Sequence, residues 1–558
     1  MNDLLTNFFT KCKAVNRYSD QRIILLSLKL CLLLFLIGCG VDNQKKSTYF
    51  NYNESSGIAT LDPAFAKSQS VMWSIHQLYN TLVEVNDSLE IVPSLAKSFE
   101  VSADRKQIKF LLRSDVFFKE DVCFGNKRTR KLTAFDVKYS FERIIDPVVA
   151  SPGAWIFNDR IAIENPFVAE NDSVFILNLR QPFYAIMGIL SMQYCSILPR
   201  EAVEYYKQDF RRHPVGTGPF QLVVWEEGQD LVFKKNPNYF EVDGKGQRLP
   251  YLDGVHVHFY DSKATEFLEF QQGKLDFTND IDPSFKDEVL TKSGQLKKEW
   301  DATIKLQKHA YLNIEYLGIL VDSSNALVKS SPLKIKKIRQ AINYAIDKPK
   351  MMLYLRNSIG IPAVNGFVPP GLPSFSKELK GYDHDPTKAQ QLLKEAGFVN
   401  GKGLPEITLV TIPIYANLGS YIASELAQQN IKVQVEVIQK SLLLQKASKQ
   451  QVPLFRASWI ADYPDAENYL SVFYSKNPAP PNYTRYDNPL YDKLYETALQ
   501  TIDDKERFAL YQQMDKMIIE DAPIIPLWYD EAIHLVRKNI SGFYPNSLNM
   551  LELRKAKK

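Results

Sequence analysis

Between residues 404 and 464 the apolar side chains change period from two to about three and a half and back again. Ile407 and Leu409 alternate as in a strand, residues 421–429 carry helical spacing, and residues 431–437 alternate once more. Two such strands with a helix between them must lie parallel, because only a crossover connection long enough to return along the sheet can join them. A further helix over 442–450 and a third strand, Leu454 to Ile460, extend the unit before the chain turns at Ala461-Asp462-Tyr463-Pro464-Asp465. The segment commits the chain to an α/β sheet. It also puts Asp462 just past the carboxyl end of a strand, where open α/β sheets form their ligand crevice, and a carboxylate there suits a cationic group.

The same mixture of periods recurs along the chain. Ile108, Phe110 and Leu112, Val255, Val257 and Phe259, and Val433, Val435 and Val437 alternate as strands. Thr133 with Asp136 forms a capping-box start for a helix through Phe141. Ser331-Pro332, Asp385-Pro386 and Asn488-Pro489 each pair a capping side chain with a proline at the first helical position, and Gly397 supplies a left-handed stop for the second of these helices. No internal repeat appears, so an interleaved α/β body is expected and not an array. A 45% apolar and 24% charged composition excludes a disordered or polytopic membrane chain. With 68 Lys+Arg against 64 Asp+Glu there is no concentrated basic surface for nucleic acid outside residues 553–558.

The N-terminus indicates export. Lys11, Lys13, Arg17 and Arg22 precede an apolar run over 23–37 that Lys29 interrupts and Gly38-Cys39 ends. The run is too short and too charged to span a membrane, and its layout is that of a signal peptide over 1–38. Leu36-Ile37-Gly38-Cys39 resembles the bacterial lipobox, which implies a lipid on Cys39, a polar tether over 39–48 and a membrane-anchored protein facing the periplasm or the outer surface. The folded body is expected from Tyr49. Of the five cysteines only Cys123 and Cys195 belong to that body, and sequence leaves open whether they pair.

No catalytic constellation is present: the chain lacks HExxH, G-x-S-x-G, the phosphate-cradling loop and G-x-G-x-x-G. His256 and His258 share one strand face, but no further Cys, His or carboxylate clusters nearby in sequence. They read as polar residues on an open strand face, with neither metal nor cofactor expected.

A set of segments in fixed order then gives a resemblance. They include Leu61-Asp62-Pro63-Ala64, residues 76–83 and 93–102, and Pro214-Val215-Gly216-Thr217-Gly218-Pro219-Phe220 with Trp225 and Asn236-Pro237-Asn238-Tyr239-Phe240. Residues 339–347, Trp459-Ile460-Ala461-Asp462, Tyr486-Asp487-Asn488-Pro489 and residues 522–527 complete the set. The chain resembles the extracellular solute-binding proteins of family 5, which serve peptide and nickel ABC importers, and is most similar to the oligopeptide-binding members. The resemblance implies an α/β, two-lobed, type II-like periplasmic-binding-protein fold with a hinged ligand cleft and no enzymatic activity. Lobe I is expected at 45–85, 203–305 and 525–558, an inserted subdomain at 86–202, and lobe II at 306–524. It further implies that Asp462 binds a ligand α-ammonium. Backbone groups of Ser458 and Ile460, and of Ile58, Ala59 and Thr60 on the opposing lobe, pair with the ligand main chain, and Trp459 packs beside it. Tyr463 and Asp465 are weaker candidates. The chain departs from the family at Ala466, where many members carry Pro, and at Asp121-Val122-Cys123-Phe124, where a His-Asp-Gly turn is common. The expected partners are short peptides and permease subunits, for a protein that is itself a monomer. A nickel chelate, an oligosaccharide or haem as ligand, or a surface interaction role without transport, are the alternatives. Gly216 and Gly218 are expected to supply tight turns.

Overall fold

Sheets of four, seven and four strands, with a two-stranded ribbon, carry the described residues 48–558 of the computed structural model. The signal peptide, Cys39 and nearly all of the tether predicted above lie outside those residues. Tyr49–Lys558 makes one compact unit.

The first sheet has the order Tyr49–Asn53, Gly254–His258, Asp230–Lys235, Phe220–Glu226, with the first pair parallel and the others antiparallel. Alternation does what it predicts here: Val255 and Val257 are fully buried, and His256 and His258 point to the other face. The second four-stranded sheet, Ala96–Val101, Gln107–Leu112, Val174–Asn178 and Phe167–Asn171 in spatial order, is antiparallel throughout and lies within the expected insertion. Helix Ala134–Ile145 packs on it through Phe141, whose ring stands 5.4 Å from that of Phe175, edge to face. The predicted capping box is present, with Thr133 and Asp136 satisfying each other's backbone N–H groups. Both sheets share one continuous hydrophobic core.

The seven-stranded sheet is built on two long antiparallel strands, Ile304–Ile319 and Ile524–Arg537. Sixteen residues of strand reach about 50 Å at some 3.3 Å per residue. Phe277–Asn279 pairs with one end of this ribbon and Leu454–Ile460 with the other. The ribbon therefore threads several cores: Ile304, Ile533 and Leu535 sit in one, Leu317, Ile319, Ile525 and Leu527 in a second, and Leu312, Ile314 and Tyr316 in a third.

The crossover unit forms as expected. Ile407–Thr411 and Val433–Val437 are parallel neighbours, joined by helix Ala416–Ala427. That helix begins five residues before the apolar spacing indicates, because the turn Pro413–Tyr415 runs straight into it. Ser331-Pro332 opens only a 3-10 turn, Pro332–Lys334, and the α-helix proper is Lys336–Ala345. Asp385 and Asn488 cap helices Pro386–Glu395 and Pro489–Gln500 as read from sequence. Gly216 and Gly218 serve a different purpose from the expected one. Neither needs a positive φ, yet a Cβ on Gly218 would stand 2.4 Å from the carbonyl carbon of Leu78, so the pair is there to let two backbones touch. Cys123 and Cys195 are both free thiols.

Candidate ligand-binding site

Strand Leu454–Ile460 is paired unequally along its two edges. One edge runs antiparallel to Ile304–Ile319 over its whole length, from Leu454 opposite Ile319 to Ile460 opposite Asn313. The other edge meets Ile407–Thr411 only at Leu454 and Phe455. From residue 456 to residue 460 that outer edge has no strand partner among the described residues, and Ser458 and Ile460 lie on this open stretch. A buried ion pair fixes the strand from below: Arg456 Nη2 donates to both carboxylate oxygens of Glu315 at 2.5 Å, and the guanidinium stacks 3.8 Å above the Tyr415 ring.

The strand ends where the Ala461 N–H donates to Leu312 O at 2.8 Å. Asp462 follows, and it is organised by a residue that sequence reading does not single out. Asn468, buried on the short helix Glu467–Leu470, accepts from Trp459 Nε1 at 2.9 Å and from the Asp462 N–H at 3.3 Å, and its Nδ2 donates to Asp462 Oδ2 at 3.4 Å. One amide thus orients both the indole and the carboxylate. The Asp462 side chain is exposed to solvent, although protein atoms crowd around it on several sides. Loss of hydration raises its pKa to about 6, the neighbouring Glu467 charge adds to the rise, and the Asn468 hydrogen bond opposes it. Among the described residues no cation forms an ion pair with it. Tyr194, from the segment expected as an insertion, faces it: burial, and then the charge of Asp462, push that phenol up to about 12. Room for the Tyr194 ring depends on Gly153, where a Cβ would stand 2.3 Å from the ring. Neither Asn468 nor Tyr194 carries a local sequence signal, because both reach Asp462 through the fold.

The other expected residues are placed as follows. Trp459 is partly buried, packed against the core around Tyr469 and held by Asn468, so it serves as scaffold. Ile58 is buried, Ala59 exposed and Thr60 half-buried, on an irregular segment held by a bond from Arg211 Nη1 to Ala59 O at 3.2 Å. Among the described residues no hydrogen bond or ion pair joins residues 58–60 to residues 458–462. The link between them is Tyr463, whose buried ring enters the same hydrophobic core as Ile58. Tyr463 donates to Glu467, and Asp465 accepts from the Glu467 N–H at 2.8 Å, so these two weaker candidates shape the turn. A cavity of about 750 Å³ adjoins the turn, lined by Phe99, Tyr184, Gly188, Asp465, Leu499 and Arg507 among others; Asp462 is not in its wall.

Comparison with known proteins gives a consistent picture. Residues 90–481 match the model of the bacterial extracellular solute-binding proteins, family 5. The glutathione-binding protein GsiB of Escherichia coli strain K12 is 26% identical over 497 residues, covering 88% of this chain and 90% of the relative. Among solved structures, DppA of Helicobacter pylori, in complex with the peptide STSA, superposes with a TM-score of 0.73 at 24% identity, over 92% of this chain and 99% of the other. HbpA2 of Haemophilus parasuis superposes with a TM-score of 0.78 at 22% identity, over 92% and 99%. The mixed α/β body has the type II-like periplasmic-binding-protein fold.

Proposed function

We propose, from the premise that this chain belongs to the bacterial extracellular solute-binding proteins of family 5 and is a binding protein without enzymatic activity, that it captures short peptides and delivers them to the permease of an ABC importer. The observation that carries the reading is a half-paired strand that ends in a carboxylate with no ion-pair partner among the described residues. An extended peptide can add to the open edge at residues 456–460 as a further strand, and main-chain pairing of that kind tolerates varied side chains. Its α-ammonium then meets Asp462. Residues 58–60 approach from the other side when the lobes, with the boundaries given above, close about the long ribbon. The name of the relative GsiB fits this class, since glutathione is a tripeptide with one free α-ammonium. Among the described residues no helix is long and apolar enough to cross a membrane, and a lipid on Cys39 would hold the protein beside its permease.

Calorimetric titration with di- to pentapeptides and with glutathione tests this. A peptide with a free amino end is expected to bind, and Asp462→Asn to weaken it by two to four orders of magnitude, about 3–5 kcal/mol for stranding one member of an enclosed pair. Equal affinity for N-acetylated and free peptides, or an Asp462→Asn protein that binds as tightly as wild type, would remove Asp462 as the anchor.

A further inference from the structure

The ladder of the first sheet gathers side chains that the linear sequence keeps apart. Asp230 and His258 are register partners on the antiparallel strands Asp230–Lys235 and Gly254–His258, and His256 precedes His258 by two residues on the same face. His256 Nε2 stands 2.5 Å from Asp230 Oδ1, and His258 Nδ1 is 4.0 Å from the same oxygen. The two imidazole rings lie 4.0 Å apart between centroids. One ligating atom from each of the three side chains lies within 4.8 Å of the other two. The third donor missing from the linear reading of His256 and His258 therefore comes from the neighbouring strand.

We propose that Asp230, His256 and His258 form a site for one divalent transition-metal cation of the zinc, cobalt or nickel kind, with water completing its coordination. Two imidazoles and one carboxylate are a donor set that such ions accept, while calcium and magnesium prefer oxygen alone. All three side chains are half-buried, so an ion can enter and at least one position stays open to water. The cation takes the place of the direct contact between His256 Nε2 and Asp230 Oδ1. Metal–ligand bonds of about 2.0–2.1 Å require that pair to open by less than ~1 Å, which the half-exposed Asp230 side chain can supply. His258 is held in place by the stacked ring of Tyr260, 5.7 Å away, and its Nε2 is buried without a hydrogen-bond partner among the described residues. The Glu269 carboxylate lies near enough to add negative potential at the His258 ring. Because the Glu54 N–H donates to His258 O at 2.8 Å, a bound ion would brace the point from which the chain departs toward residues 58–60.

The test uses tag-free protein stripped with a chelator and titrated with Co²⁺, then Zn²⁺, followed by visible absorption, calorimetry and thermal unfolding. One equivalent of Co²⁺ is expected to bind, to be displaced by Zn²⁺, and to raise the unfolding temperature. His256→Gln and His258→Gln should abolish this, Asp230→Asn should weaken it at least tenfold, and Asp462→Asn should leave it intact. Should an imidazole variant fail to fold, Asp230→Asn, altered at a half-exposed position, decides alone. Wild-type protein that takes up no stoichiometric metal overturns the site. So does binding unchanged in Asp230→Asn, which would place the ion elsewhere, Asp347, His384 and Glu425 being the other grouped donors.

Discussion

A carboxylate that protein surrounds without neutralising is sensitive to pH, and Asp462 is such a group. Loss of hydration raises its pKa to about 6, against an ordinary value of 3.8. An ammonium pairs with the ionised form, so affinity for amine-bearing peptides should be flat near pH 7 and fall about tenfold per unit once pH drops below about 6; calorimetry across pH 4.5–7.5 checks this. The stability effect has the opposite sense. A pKa raised on folding contributes stability that is complete below 3.8 and lost as pH rises through about 6, so Asp462→Asn should unfold at a higher temperature than ligand-free wild type at pH 7.5. Asp462 is legible in the sequence because Trp459-Ile460-Ala461-Asp462 ends a strand and matches a family segment. Asn468 and Tyr194 are not, since an amide on the next helix and a phenol some 270 positions upstream become neighbours only after three-dimensional packing.

Elements were readable where their periodicity was simple. The strands at Ile108, Val255 and Val433 and the helices capped by Thr133, Asp385 and Asn488 stand where local pattern puts them. The ribbon Ile304–Ile319 escapes such reading because its first half is half-buried and its second half is buried on both faces. That second half buries the polar Asn313 and Glu315 together with Leu312, Ile314 and Tyr316, so burial there does not follow side-chain polarity. Glycine at 216 and 218 is a further case in which the residue was legible and the reason was not. Gly218 donates its N–H to Leu78 O at 3.0 Å, at the end of helix Gln69–Leu78, with no room for a methyl group. Gly218→Ala should cost about 1–3 kcal/mol in urea unfolding, because backbone must move where only side chains normally yield.

The C-terminal segment ties distant parts of the molecule together through Arg554. This buried guanidinium binds Glu552 at 2.5 Å, Glu241 at 2.7 Å and Glu84 at 3.2 Å, while Glu552 also meets His76 at 3.2 Å. Arg554→Ala would leave three carboxylates facing one another without a cation, and should lower stability at pH 7 by about 3–5 kcal/mol in denaturant titration. Burial pushes the Glu552 carboxyl up, but Arg554 and then His76 outweigh it and hold the group well below its ordinary value of 4.5, so in wild type this contribution is present above pH 4.5 and lost as pH falls further. No local pattern announces such a hub, because its carboxylates lie 2, 313 and 470 positions from Arg554 in the chain. At the same scale, the outer edge of residues 456–460 has no strand partner among the described residues, and unpaired edges recruit strands from other copies. Shelf life should then depend on occupancy: concentrated stocks stripped of ligand are expected to lose monodispersity in light scattering sooner than stocks stored saturated with peptide.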